Sequence, residues 1–145
     1  MTDIERLIAI EELRQLKARY FRCMDTKDWD GFAAVFAPGA TADYTPPGGD
    51  RNAWSAAGAG NIVALVKHAV APAITVHHGH MPEIEVTSTT QAKGIWSMED
   101  LIWWPEGARH KTMHGMGHYH ETYEKLGGRW LIKSLLLTRL HVEQD

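Results

Sequence analysis

An α+β domain, with helices first and a meander of antiparallel strands behind them, is the fold this sequence predicts. Three observations carry the prediction. Apolar side chains repeat at helical spacing only in the first half, the second half switches to long runs rich in β-branched and aromatic residues, and turn residues punctuate those runs. The 145 residues suit one domain spanning 1–145, and a 44% apolar content that includes six tryptophans is ample for one sizeable core.

The first helix is expected from about Ile4 to about Met24, capped by Thr2 or Asp3, with Glu5 placed where the helix dipole favours negative charge. Leu7, Ile10, Leu13, Leu16, Tyr20 and Phe21 form its apolar stripe, and Glu11, Glu12, Arg14, Lys17 and Arg19 its polar face. A break at Asp25-Thr26-Lys27 leads to a second helix from Asp28, with Trp29, Phe32, Ala33 and Phe36 on one face and Pro38-Gly39 as its stop. Ala40 to Tyr44 reads as a short strand, Pro46-Pro47-Gly48-Gly49 as a loop, and Trp54 to Val70 as a third helix. Long strands follow at Ile74–Val86, Gln91–Trp104, Thr112–Lys125 and Arg129–Val142. Ser88-Thr89-Thr90, Pro105-Glu106-Gly107 and the hairpin signal Gly127-Gly128 separate them.

Composition narrows the function. A net charge of −3 with both signs intermixed is not the basic footprint of a nucleic-acid binder. The single cysteine, Cys23, cannot close an internal disulfide and reads as a small core residue before it reads as a nucleophile. The first residues lack a basic then apolar leader, and no apolar run approaches the roughly 20 residues that span a bilayer, so a cytoplasmic protein with no membrane partner is expected. There is no P-loop, dinucleotide fingerprint or nucleophile elbow, and no cofactor is expected.

Nine histidines raise the question of metal. On strands, His78 and His80 share one face, as do His118 and His120. His118-x-His120 with Glu124 matches the centre of the cupin metal motif. Thr112 and Leu131 stand where its flanking glycines should be, and the Pro105-Glu106-Gly107-Ala108-Arg109-His110 element comes on the wrong side, so no metal site is expected. Other residues point to proton transfer. Tyr20 lies on the inward stripe of the first helix, and Asp25 follows where the chain turns back, as a turn aspartate or as something more. Strand alternation puts Asp100 on one face with Trp96, Met98 and Ile102, and Arg139 with Leu131, Leu135 and Leu137. Charges on apolar faces must pair or line a wet pocket, and an Asp100–Arg139 ion pair is one solution. A histidine titrating near neutrality, with its tautomer fixed by a carboxylate, is an effective base.

The run Tyr20-Phe21-Arg22-Cys23-Met24-Asp25-Thr26-Lys27-Asp28-Trp29-Asp30 resembles SnoaL-like proteins of the nuclear transport factor 2-like superfamily. The likeness continues through His77-His78-Gly79-His80-Met81-Pro82-Glu83-Ile84 and Gly94-Ile95-Trp96-Ser97-Met98-Glu99-Asp100, and closes at Tyr123 to Trp130 and Arg139. It is similar in particular to the bile acid 7α-dehydratases, more weakly to scytalone dehydratase, and it shares an Asp-then-His arrangement with hexachlorocyclohexane dehydrochlorinase. Residues Thr45 to Ala73 match none of these, and that stretch is expected to form part of a pocket mouth.

The resemblance implies a cone-shaped half-barrel whose curved, mostly antiparallel sheet encloses an apolar pocket. It implies catalytic roles for Tyr20, Asp25 and His77, with Asp100 and Arg139 beside them, and Tyr44 by the scytalone dehydratase likeness. Phe36 and Trp96 are expected as pocket walls. The activity expected is a cofactor-independent, dehydratase-like lyase acting on a small hydrophobic hydroxy-carbonyl compound. An isomerase or polyketide-type cyclase using the same His–Asp site and a non-catalytic binding or assembly protein are the alternatives. Burial of one sheet face in another copy, giving a homo-oligomer, is also expected.

Overall fold

Thr2 caps the first helix, α1 (Asp3–Asp25), in a reciprocal box: Thr2 Oγ1 accepts from the Glu5 amide at 3.1 Å, and Glu5 Oε2 accepts from the Thr2 amide at 2.6 Å. The buried face of α1 runs through Ala9, Leu13, Leu16, Lys17, Tyr20, Phe21, Cys23 and Met24. Leu7, expected on this stripe, is exposed, and the buried face of the helix begins at Ala9. Lys17, expected on the polar face, is fully buried. The computed structural model describes residues 1–145.

Two expected helices are shorter than their patterns. The second, α2, covers only Trp29–Ala33, capped by Asp28 Oδ1 on the Gly31 amide at 3.0 Å. Phe36 belongs instead to strand β1 (Phe36–Asp43), where it pairs with Ile132, and Pro38-Gly39 lies inside a register shift of that strand rather than at a helix end. Pairing with a buried neighbouring strand overrides the local helical spacing here. The third expected helix divides into α3 (Arg51–Trp54), strand β2 (Ser55–Ala57) and α4 (Ala59–Val70). Gly58, at φ +87°, makes the break, and β2 hydrogen-bonds along β1.

Strands β3 (Ile74–Val86), β4 (Gln91–Trp103), β5 (Thr112–Leu126) and β6 (Arg129–Gln144) match the expected meander. All six strands form one open, curved sheet in the order β2-β1-β6-β5-β4-β3, parallel only at β1–β6. The helices cover its inner face, giving an α+β half-barrel with one continuous core. Inner positions alternate as period two requires: Trp96, Met98, Asp100 and Ile102 on β4 stand opposite Tyr119, Gly117, Gly115 and Met113 on β5. β6 carries an extra residue at Lys133 and another at Leu140, each opposite a register shift against β5. The first bulge reverses the alternation, so Trp130, Ile132, Leu135 and Leu137 are all buried while Leu131, expected beside Leu135, pairs with Glu124 on the other face. No helix is long and apolar enough to cross a membrane.

Candidate active site

The inner face does not fill completely. A largely apolar cavity of about 690 Å³ opens between the sheet, α4 and the segment after β1, within the size range of small-molecule sites. Trp54, Leu65, Val66, Ile102, Trp104 and Leu137 supply much of its wall. Pro46, Ala53, Trp54, Leu65, Val66 and His68 come from the stretch expected at the pocket mouth. His77, Asp100, Arg139, Tyr44 and Tyr119 bring polar groups to the same space.

The end of α1 and the start of β3 converge at its inner end. Lys27, at φ +61°, turns the chain back, and its Nζ donates to Thr75 Oγ1 at 2.9 Å. Thr75 Oγ1 in turn donates to Asp25 Oδ1 at 2.9 Å. Asp25 Oδ2 accepts from the His77 amide at 2.9 Å, and Oδ1 lies 2.7 Å from His77 Nδ1. The carboxylate therefore grips His77 by backbone and ring together, which places the proton on Nδ1 and leaves Nε2 as the free edge. Phe21 lies nearly parallel to the His77 ring, at 6.3 Å between centroids. Nε2 stands 3.7 Å from Asp100 Oδ2, beyond hydrogen-bond reach.

Asp100 is committed elsewhere. Arg139 Nη1 and Nη2 donate to its two oxygens at 2.6 and 2.9 Å, a bidentate fork. Burial works against the Arg139 charge, but the Asp100 hydrogen bonds and charge outweigh it and raise the guanidinium further above its ordinary range. The pair has room because Gly115 sits opposite: a Cβ there would run into Arg139 Nη1 and come 2.5 Å from Asp100 Oδ1. Gly115→Ala is expected to cost about 1–3 kcal/mol by overpacking, read as a lowered Tm in thermal denaturation.

The expected site residues are not all brought to the cavity. His77, Asp100, Arg139 and Tyr44 line it, and Asp25 stands directly behind His77. Tyr20 does not line it; fully buried, it reaches the cavity only through its hydroxyl, 2.7 Å from that of Tyr44. Burial is the main cause holding both phenols protonated, well above the usual tyrosine range. Phe36 and Trp96 are not cavity walls. Phe36 packs on Tyr20 and Phe32, and Trp96 Nε1 donates to Tyr123 Oη at 2.9 Å in the core. His78, His80, His118 and His120 occupy the outer face of the sheet, the first two beside Glu99. Sequence reasoning passed over Tyr119, which alternates with His118 and His120 and pairs with Trp96 on the inner face, and over Trp54 and Trp104, which stand at element ends.

Comparison with known proteins places this arrangement in context. The SnoaL-like domain profile matches residues 5–135. A curated protein named a probable cyclase, FGR4 of Gibberella zeae, is 30% identical over 138 residues, covering 89% of each chain. Hexachlorocyclohexane dehydrochlorinase LinA-type3 from Novosphingobium barchaimii superposes with a TM-score of 0.82 at 20% identity, over 99% of this chain and 94% of that one. A protein provisionally described as scytalone dehydratase from Novosphingobium aromaticivorans gives 0.84 at 17%, over 99% and 92%. At such identities the two structural likenesses show a common fold.

Proposed function

This chain belongs to the SnoaL-like domain family, and from that premise we propose that it is a cofactor-independent lyase of the dehydratase type, acting on a hydrophobic, cyclic hydroxy-carbonyl compound. The observation that carries the reading is the orientation of His77. Its Nδ1 is held by Asp25 at 2.7 Å, and its other nitrogen is free at the edge of an apolar cavity.

In this reading His77 Nε2 removes the proton beside the substrate carbonyl, and Asp25 stabilises the imidazolium that forms. The enolate oxygen accepts hydrogen bonds from Tyr44 and Arg139, two donors at the cavity wall. Tyr44 acts as a hydrogen-bond donor and not as the proton source, because burial holds its phenol protonated. The β-hydroxyl then leaves with the proton carried by His77, which releases water and restores the neutral imidazole. Asp100 keeps Arg139 oriented, and Tyr20 orients the Tyr44 hydroxyl. The apolar walls hold the ring system and exclude water.

A cyclase is the second reading, favoured by the curated relative named a cyclase. It begins with the same proton abstraction and differs in what the enolate attacks. The test is therefore made in two stages. Hydrophobic cyclic β-hydroxy ketones are incubated in D₂O, and deuterium entry beside the carbonyl and appearance of the conjugated enone are followed separately. Exchange with enone formation supports the lyase, and exchange without it supports an isomerase or cyclase. The same exchange in wild-type protein and in His77→Ala would overturn the mechanism.

The outer sheet face fits a homo-oligomer. Ile74, Ile95, Trp103 and Leu136 are exposed large apolar side chains there, and Ile95 and Leu136 flank His120 on adjacent strands. Ile95→Glu with Leu136→Glu is expected to convert an oligomer to monomer in light scattering coupled to gel filtration. An unchanged mass would exclude this face as the contact.

A further inference from the structure

Lys17 follows Leu13 by four residues and precedes Tyr20 by three, which puts it on the inward face of α1. Its side chain is 0% exposed. Nζ lies 2.6 Å from Glu121 Oε2, and it stands over two aromatic rings at once, 3.7 Å from the Tyr20 centroid and 3.6 Å from that of Tyr119. Glu121 is itself fixed. Its Oε1 accepts from Tyr123 Oη at 2.7 Å, and that oxygen accepts from Trp96 Nε1 at 2.9 Å. A buried ion pair is a poorer stabiliser than apolar side chains of the same volume, so the presence of this one asks for a further role.

The geometry points to Lys17 as a positioning residue whose ammonium, clamped by Glu121 against the Tyr20 and Tyr119 rings, polarises those phenols and strengthens the hydroxyl wall that stabilises anionic oxygen in the cavity. This rests on the proton-transfer reading above. A cation on a ring face draws electron density from the ring and makes the phenolic O–H a stronger donor. Tyr119 lines the cavity directly, and Tyr20 acts on it through the 2.7 Å contact with Tyr44. The charge is thus felt at the reacting oxygen while the amine itself, which would condense with a carbonyl substrate, stays behind the rings. Lys17 faces Glu121 and the phenols of Tyr20 and Tyr119, and Tyr123 meets the other oxygen of Glu121. Desolvation outweighs the Glu121 attraction and pulls its amine down to about 8, so the effect is expected to fade as pH rises through that value.

The probe is 4-nitro-1-naphthol, whose phenolate absorbs visible light, with naphthalene as an uncharged packing control. Wild-type protein is compared with Lys17→Met and with Lys17→Met/Glu121→Gln, the second leaving no unpaired carboxylate if the first fails to fold. Wild-type protein is expected to favour the bound phenolate, and the double variant to lower the bound phenolate-to-phenol ratio about five- to tenfold with naphthalene affinity unchanged. Above pH about 8, where the probe is wholly phenolate, its affinity for the wild type is expected to fall toward that for the variant. Equal ratios in wild type and variant, or a parallel loss of naphthalene affinity, would reduce Lys17 to a structural role and overturn the proposal. Wild-type binding without preference for the phenolate would also overturn it. The reading of His77 as base is judged separately, by the deuterium exchange that His77→Ala is expected to suppress while Lys17→Met only slows it.

Discussion

Replacing His77 by alanine is expected to lower kcat/KM by about 10²–10⁴, the range for removal of a positioned general base. The loss is expected equally in deuterium exchange and in water release, because His77 is the proton carrier in both. The fold is expected to survive. Asp25 loses the ring contact but keeps the His77 amide and the Thr75 hydroxyl, so no buried carboxylate is left unpaired. A Tm close to that of the wild type, with activity lowered by that factor, is the expected pair of results. Asp25→Asn sharpens the point. Either orientation of the amide turns its NH₂ toward a group that donates to Asp25, the His77 amide on one side or the His77 ring and Thr75 hydroxyl on the other. The ring then loses its fixed tautomer, and activity falls although His77 is still present. Full activity in Asp25→Asn would show that the contact only anchors the end of α1.

The features that were legible in the sequence are those set by a single periodicity. The stripe Leu13, Leu16, Tyr20 names the inward face of α1, and period two separates His77 from His78 before any contact is known. What sequence periodicity does not carry is pairing. Phe36 fits a helix by spacing, yet a partner strand contributed from Ile132 decides its conformation. Trp96 lies on the inner face as expected, but the tight approach of Gly79 to Phe21 and Trp96 fills that end of the half-barrel, so the cavity forms at the other end. Lys17 shows the same limit from the charged side. Its helical position matches the core stripe, and only its side-chain class argued for the surface. Glu121, between Tyr119 and Tyr123 on one strand face, held the complementary clue. A lysine on an inward stripe and a carboxylate on an inward strand face are each costly alone, and together they predict one another.

Asp100 and Arg139 present the same logic at the cavity, where it can be separated into stability and chemistry. Arg139→Met leaves Asp100, 3% exposed, without its two hydrogen bonds, and removing one partner of a buried ion pair typically costs about 3–5 kcal/mol. For a domain of this size that lowers Tm by roughly 10 °C. The cavity lets water reach part of the site, which favours the lower end of the range. Arg139→Met/Asp100→Leu removes both charges and fills the space with apolar atoms, and it is expected to recover most of the lost stability. Activity is expected to stay low in both variants, since the donor proposed to face the substrate oxygen is absent from each. Recovery of Tm without recovery of kcat/KM would mean that the pair is retained for the guanidinium it aims into the cavity. Recovery of both would reduce Arg139 to a counter-ion for Asp100 and leave Tyr44, backed by Tyr20, as the donor on which the anion depends.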